Sequence, residues 1–353
     1  DIQTRPFQKG DEKSLSKILK KIYHKEFIDE YWWWRYLDNP VGDHFCQCAI
    51  YDGRIVGVAG GIPYRIKWGD REIIAGQITD LAVEPELRGK KVFSAIQKAN
   101  MAEIKKKANG AYGFTNEITF PIYGAYDYAF RVPRMTKVLN TRALLKNRDS
   151  LTTTQKITTA IGNIGLSIIE RMKKKRIKSH LSIKTITSFD SSFDTFFEII
   201  SPLFKMMHVR NHKYLNWRYC ANPFYRYTTY VVEKEGDILG FVVLRNKSGR
   251  EKRGFILEFF AVQGREDVQH LLLNKITEHF RQRGVDMITC WLFPHSPYYN
   301  TFRQHLYMKR KGDLIVVFTG GEQDQDTVNS EELKKDFTNP LNWHISCGDH
   351  DAF

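Results

Sequence analysis

From position 80 to 93 the chain reads Asp-Leu-Ala-Val-Glu-Pro-Glu-Leu-Arg-Gly-Lys-Lys-Val-Phe. An apolar, strand-like run ends, a proline turn follows, and apolar residues at helical spacing begin with Val92. A helix mouth presents amide N–H groups without partners together with the positive end of the peptide dipoles, a natural site for anions. Arg88, Lys90 and Lys91 add positive charge at that mouth, a combination suited to a pyrophosphate. Taken by itself, the stretch reads equally well as an ordinary strand-to-helix turn dressed with surface charge. Other chemistries leave weaker traces. The five cysteines (Cys46, Cys48, Cys220, Cys290, Cys347) show neither zinc spacing nor a disulfide framework, which points to a reducing, cytoplasmic compartment. No histidines pair at metal spacing. His344 and His350 flank Cys347, yet they complete no ligand set, so no metal is expected. No nucleophile elbow for a Ser/His/Asp triad appears.

The elements that must position this segment occur twice. The stretch from Tyr31 to Gly57 aligns without gaps on Tyr214 to Gly240 at an offset of 183, with nine of 27 positions identical, among them Trp34/Trp217, Arg35/Arg218, Tyr36/Tyr219, Asn39/Asn222 and Pro40/Pro223. A period this long means a duplicated domain, not a solenoid. In each copy a helical stretch carries the aromatics and the arginine, and Asn-Pro ends it. Asp52-Gly53 and Glu235-Gly236 then mark hairpin turns. Helical spacing of Leu15, Ile18, Leu19 and Ile22, with Asp11 as cap, and of Phe193, Phe196, Phe197 and Ile200 places a further helix before each.

Downstream, the first copy continues with a strand at 77–83, a helix from Val92 to near Gly110, a strand at 111–115 and a helix from about Pro121. The second continues with a strand at 255–262, a helix at 268–283, a strand at 287–293, a helix opening at Pro297 and a closing strand at 314–319. Strands alternating with helices after an antiparallel hairpin give an α/β class with a mixed, α+β-like sheet. The expected division is 1–140, a first domain that binds cofactor and catalyses; 141–182, a linker with a basic helix; 183–320, a degenerate second domain; and 321–353, a mobile loop and tail.

The 353 residues carry 54 Lys+Arg against 40 Asp+Glu, a net charge of +14 that favours anionic partners. No reading motif for nucleic acid accompanies it, so nucleic acid is not the expected partner. No apolar run is long enough for a membrane span, and the polar N-terminus lacks the apolar core of a signal peptide. Helical residues 157–172 run into Lys173-Lys174-Lys175-Arg176, a basic-ended helix that reads either as an interdomain element or as a membrane-surface helix. The Trp32-Trp33-Trp34 triplet reads as core with one exposed ring, which could stack on a sugar.

The segment around Arg88 resembles the pyrophosphate loop of the GNAT superfamily of acyl-CoA-dependent N-acyltransferases, R-G-x-G-x-G/A after a strand ending x-L-x-V-x-P. The resemblance spans most of residues 1–140 and weakly recurs in 183–319. It is similar above all to two-domain members found with bacterial cell-surface sugar genes, through W-R-Y…N-P, the R-G-K turn and Gly113-Phe114-Thr115-Asn116-Glu117. A second likeness, through residues 122–128, is to the enhanced-intracellular-survival acetyltransferases. Lys91 and Phe93 stand where the superfamily carries glycine or alanine.

The resemblance implies a tandem GNAT fold, acetyl-CoA or another acyl-CoA as co-substrate, and a primary amine as acceptor, an amino sugar or sugar nucleotide being the first expectation. It places cofactor along Leu81, Ala82, Val83, Arg88, Gly89, Lys90, Lys91, Val92, Phe93 and Asn116. Backbone N–H groups near Leu81 and Val83 would hold the thioester oxygen. Tyr123 would be the acid for the departing thiolate, with Tyr126 next. Asp80, Glu117 and the chain-terminal carboxylate of Phe353 are the candidate bases. In the second copy, Glu266 and Asp267 at the matching helix mouth would repel a pyrophosphate, so cofactor is expected in the first copy alone. Two further readings stand beside this one: a duplicated scaffold that binds without catalysing, and a tRNA-dependent aminoacyl transferase of the peptidoglycan-branching type. The oligomeric state is not encoded in any of these features.

Overall fold

The computed structural model describes residues 1–115, 117, 120, 127–145, 151–173, 181–247, 252–319 and 330–350. The chain forms two compact units. The first comprises Asp1–Phe130, Lys205–Tyr225 and Leu314–Trp343, and the second Arg131–Phe204, Arg226–Asp313 and His344–Phe353. The repeat read from the sequence divides the chain by ancestry, and these units divide it by packing.

In the first unit α1 (Glu12–Tyr23) and α2 (Asp29–Trp32) precede strands β2 (Gln47–Tyr51), β3 (Arg54–Trp68), β4 (Arg71–Val83) and β5 (Gly110–Thr115), with β1 (Gln3–Pro6) on the outer edge and α3 (Val92–Lys107) between β4 and β5. β1 to β4 are antiparallel neighbours in order, and β4 and β5 are parallel. The last strand is supplied from far along the chain: Leu314–Thr319 of β13 (Met308–Thr319) pair antiparallel with β5. Leu15, Ile18 and Leu19 of α1 are buried, as their spacing predicts. Asp11 departs from expectation. Its side chain does not cap α1 but accepts from the Arg5 guanidinium at 2.7 and 2.8 Å and from Gln8 N–H at 2.9 Å. Burial alone would raise its carboxyl pKa; these bonds outweigh that and hold it below the usual range.

The second unit has the same order of elements. α5 (Ser192–Ile200) precedes β9 (Thr228–Lys234), β10 (Asp237–Lys247), β11 (Arg253–Ala261), α7 (Glu266–Gln282), β12 (Met287–Trp291) and α8 (Tyr299–Gln304), with β7 (Ser182–Ile186) on the β9 edge. β11 and β12 are parallel, and residues 134–138 of β6 (Tyr128–Val138) pair antiparallel with β12. The two copies have therefore exchanged their final strands. Strand β6 has no counterpart in the sequence reading, and the strand expected to close the second copy closes the first unit instead. The exchange needs close backbone approach: a Cβ on Gly312 would lie 1.5 Å from the carbonyl oxygen of Val132.

Both hairpin turns form as read, with positive φ at Asp52 and Gly53 and at Glu235 and Gly236, the geometry that matches strand twist. Both copies of the aromatic motif also wind into a π-helical turn, Trp33–Leu37 and Asn216–Cys220, closed by Asp38 N–H to Trp33 O and Ala221 N–H to Asn216 O, each at 2.9 Å. Within the first unit Trp34 and Trp217 stack 5.2 Å apart, and each indole N–H donates to the other's carbonyl at 2.7 Å. Trp32 is fully buried. Trp33 is half-buried, its N–H donating to Glu12 at 2.7 Å and Lys9 lying over its ring. The helix expected from about Pro121 and the loop expected over 321–329 lie outside the described residues.

Candidate active site

The site is built on the free end of β4. Its parallel pairing with β5 stops at Ile78↔Gly113, whereas its antiparallel pairing with β3 runs on to Val83↔Gly57. Among the described strands, only β3 pairs with residues 82–83 of β4. An irregularity between Val58 and Gly60 sharpens the bend, and opposite it Asp80 adopts φ +47°, a left-handed conformation that aspartate tolerates. Glu84 N–H donates to Val56 O, so strand alternation turns Ala82 N–H toward β3 and the N–H groups of Leu81 and Val83 toward the open side.

The chain then turns through Pro85–Leu87 into α3. Glu84 anchors the turn through Arg54 and, at 3.4 Å, Lys21. Burial would raise its carboxyl pKa, but these cations prevail and lower it. Leu87, Val92 and Ile96 pack with Ala49, Val56, Ala59 and Val83, and Phe93 lies half-buried against the same cluster. Arg88, Gly89, Lys90 and Lys91 are exposed, and among the described residues the three cationic side chains form no ion pair. Gly89 and Lys91 adopt φ +84° and +61°, so the lysine takes up the conformation for which a glycine would be the ordinary choice. The first helical amide to donate within α3 is Ala95 N–H, to Lys91 O, and the N–H groups of Val92, Phe93 and Ser94 stand before it. An open cationic helix mouth therefore lies at the end of an unpaired strand edge.

Asp80 is not a solvated turn acid. It accepts from the hydroxyls of Tyr31 at 3.1 Å and Tyr36 at 2.6 Å and pairs with Arg35 at 3.2 Å, its side chain only 9% exposed. Arg35 also contacts Tyr31 and donates to Thr79 Oγ1 at 3.1 Å. Burial, then the Asp80 charge, pushes the Tyr36 hydroxyl pKa far up, which keeps that hydroxyl a donor. Gly60 makes room for it, since a Cβ there would stand 2.1 Å from the Tyr36 oxygen. The sequence displayed Tyr31, Arg35 and Tyr36 as repeat identities, and that invariance between copies was the available signal that they act together. What it did not show was their common partner.

Glu117 is exposed just past β5. Asn116, Tyr123, Tyr126 and Phe353 lie outside the described residues. In the second unit the helix mouth corresponding to Arg88 is closed by its own side chains: Arg265 donates to Asp267 at 2.8 and 2.7 Å, and this bond lowers the Asp267 pKa. Burial raises the thiol pKa values of Cys46, Cys48, Cys290 and Cys347, that of Cys48 to about 12, and partial desolvation raises that of the exposed Cys220.

Residues 3–131 match the family model described as "Acetyltransferase (GNAT) domain". No curated protein matches the sequence. Among solved structures, a probable N-acyltransferase from Enterococcus faecalis V583 is similar at TM-score 0.64 and 14% identity, covering 91% of this chain and 73% of that one. A GCN5-related N-acetyltransferase from Anabaena variabilis reaches TM-score 0.61 at 11% identity, covering 90% and 72%. Saccharomyces cerevisiae N-myristoyltransferase with bound myristoyl-CoA reaches TM-score 0.58 at 13% identity, covering 90% and 79%. Residues 3–131 thus match a GNAT acetyltransferase domain, and the mixed α/β fold of the chain is similar to the folds of these acyltransferase structures.

Proposed function

We propose that the protein transfers an acyl group, most simply acetyl, from CoA directly to a primary amine, and that the first unit carries the reaction. The observation that supports this reading best is the open pair of features in that unit: the unpaired β4 edge at Leu81–Val83 and the uncommitted cations of Arg88, Lys90 and Lys91 at the mouth of α3. The helix mouth and its cations hold the diphosphate, and the β4 edge aligns the pantetheine arm. The amine attacks the thioester carbonyl. Val83 and Leu81 N–H stabilise the oxyanion, and collapse of the tetrahedral intermediate breaks the C–S bond. The amine's proton goes to a carboxylate, for which Glu117 is the candidate. The thiolate takes its proton from Tyr123, or from Tyr126 three residues on. A covalent cysteine intermediate is disfavoured by the raised thiol pKa values.

Asp80 is assigned a positioning role, because its carboxylate is already shared among three donors. The self-paired Arg265 and Asp267 support a second unit without cofactor, serving as scaffold or acceptor wall. An amino sugar or sugar nucleotide remains the first acceptor to test, and a cytoplasmic location goes with CoA as donor. Lys91 and Phe93 are the features that favour the alternative of a binding module without catalysis, though neither side chain fills the helix mouth: one is exposed and the other packs into the core.

Calorimetric titration with acetyl-CoA is expected to show micromolar to sub-millimolar binding that Arg88→Glu abolishes, and amino sugars are expected to release free CoA thiol. Absence of binding heat under all conditions would refute the proposal. Binding without thiol release across an amine panel would favour the non-catalytic module.

A further inference from the structure

Helix α4 (Thr153–Lys173), in the second unit, is mounted through the side that carries Gly162, Asn163 and Glu170. Asn163 accepts from the N–H and hydroxyl of Thr141 at 2.8 and 3.0 Å, and Gly162 lies against the Thr141 side chain. Glu170 is held by Lys137 at 3.1 Å and by Arg281. The opposite side carries Ile157, Ile161, Ile164, Ile168 and Met172, exposed by 56, 64, 62, 54 and 81%. At 3.6 residues per turn these five fall within about 80° of arc. A helix of a folded domain ordinarily turns such a stripe toward the core. Here the stripe faces outward, and no described residue covers it.

We propose that this face docks on an anionic lipid bilayer, with α4 lying along the headgroup boundary. Charge argues for that occupant. The only acid of the helix, Glu170, is on the inward side and neutralised, while Arg171 borders the stripe and Lys156 is exposed near the start of the helix. Past Lys173 the sequence continues Lys174-Lys175-Arg176. An apolar stripe bordered by a cation and followed by a basic run is the combination that partitions into an acidic membrane surface. A second copy of the chain would bring its own basic run and its +14 charge to the same face. No helix among the described residues is long and apolar enough to cross a membrane, so the contact is peripheral.

Vesicle flotation tests this with the full chain, using phosphatidylcholine alone and phosphatidylcholine with phosphatidylglycerol. Binding is expected to be at least about tenfold stronger to the anionic vesicles and to weaken at high salt. Ile161→Asp combined with Ile168→Asp is expected to lower it at least about tenfold while leaving thermal unfolding unchanged. Ile164→Trp reads insertion directly, through a blue shift of fluorescence on adding anionic vesicles. The proposal fails if the native chain ignores anionic vesicles, if the double variant binds them equally, or if Ile164→Trp shows no shift. It also fails if sedimentation reveals a dimer that the double variant dissolves, since a second copy would then be the occupant.

Discussion

Replacing Asp80 by Asn removes one charge and little else. Asparagine is nearly isosteric, tolerates the φ of +47° found there, and can still accept from a tyrosine hydroxyl. What it cannot do is neutralise Arg35, whose side chain is 3% exposed. At the 3.2 Å separation and an effective dielectric of about 20, the lost attraction is about 5 kcal/mol. Stranding one member of a buried pair costs about 3–5 kcal/mol in practice, and Arg35 keeps its bonds to Thr79 and Tyr31, so the lower end applies. About 3 kcal/mol in a unit of this size lowers Tm by roughly 6–12 °C. Adding Arg35→Met should recover at least about 1 kcal/mol, because an apolar side chain leaves no charge to strand. The second copy strengthens the case for a structural role: it keeps the W-R-Y motif and also buries an acid on its central strand, Glu258 at 0% exposure, although its helix mouth is self-paired. Calorimetric unfolding of the native chain and the two variants, with acyl-transfer rates measured well below each Tm, separates the roles. An unchanged Tm with kcat reduced at least about 100-fold in Asp80→Asn would refute the positioning role and make Asp80 the base.

Two further outcomes follow from the same structure. Lys91→Gly removes a left-handed penalty of about 1 kcal/mol and adds some unfolded-state entropy, so a net gain of about 0.5 kcal/mol in urea unfolding is expected. Acetyl-CoA affinity should stay within about threefold, because the backbone donor remains and one exposed charge is worth under about 1 kcal/mol. His279 is buried beside Arg283 and Lys275, and burial first, then those cations, lower its pKa from 6.5 to about 4. The unfolded ring takes up a proton that the folded one refuses, so its contribution is complete above pH 6.5 and disappears as pH falls to 4. The loss is at most about 3 kcal/mol before solvent screening. Urea midpoints measured down that range should flatten in His279→Gln, and an equal slope in the native chain and the variant would count against the assignment.

Much of this protein was legible in its residues. Local rules act over a few positions: Asp-Gly and Glu-Gly dictate hairpin turns, Asn-Pro ends a helix, and apolar spacing sets the buried face of α1. Duplication, too, is a property of the string. Tertiary structure alone decided the long-range partners. Which strand completes a sheet depends on pairing across nearly 200 positions, and Leu314–Thr319 has the same β-forming character whichever β5-like edge it meets, so its place beside β5 could not be read locally. Likewise, Tyr31, Arg35 and Tyr36 revealed themselves as a motif, but only folding brings Asp80 among them and turns a candidate base into a buried, shared carboxylate. Helix α4 makes the same point in reverse. Its amphipathic pattern is written in the sequence, yet periodicity is blind to which side faces inward, and the contacts of Asn163 and Glu170 decided that.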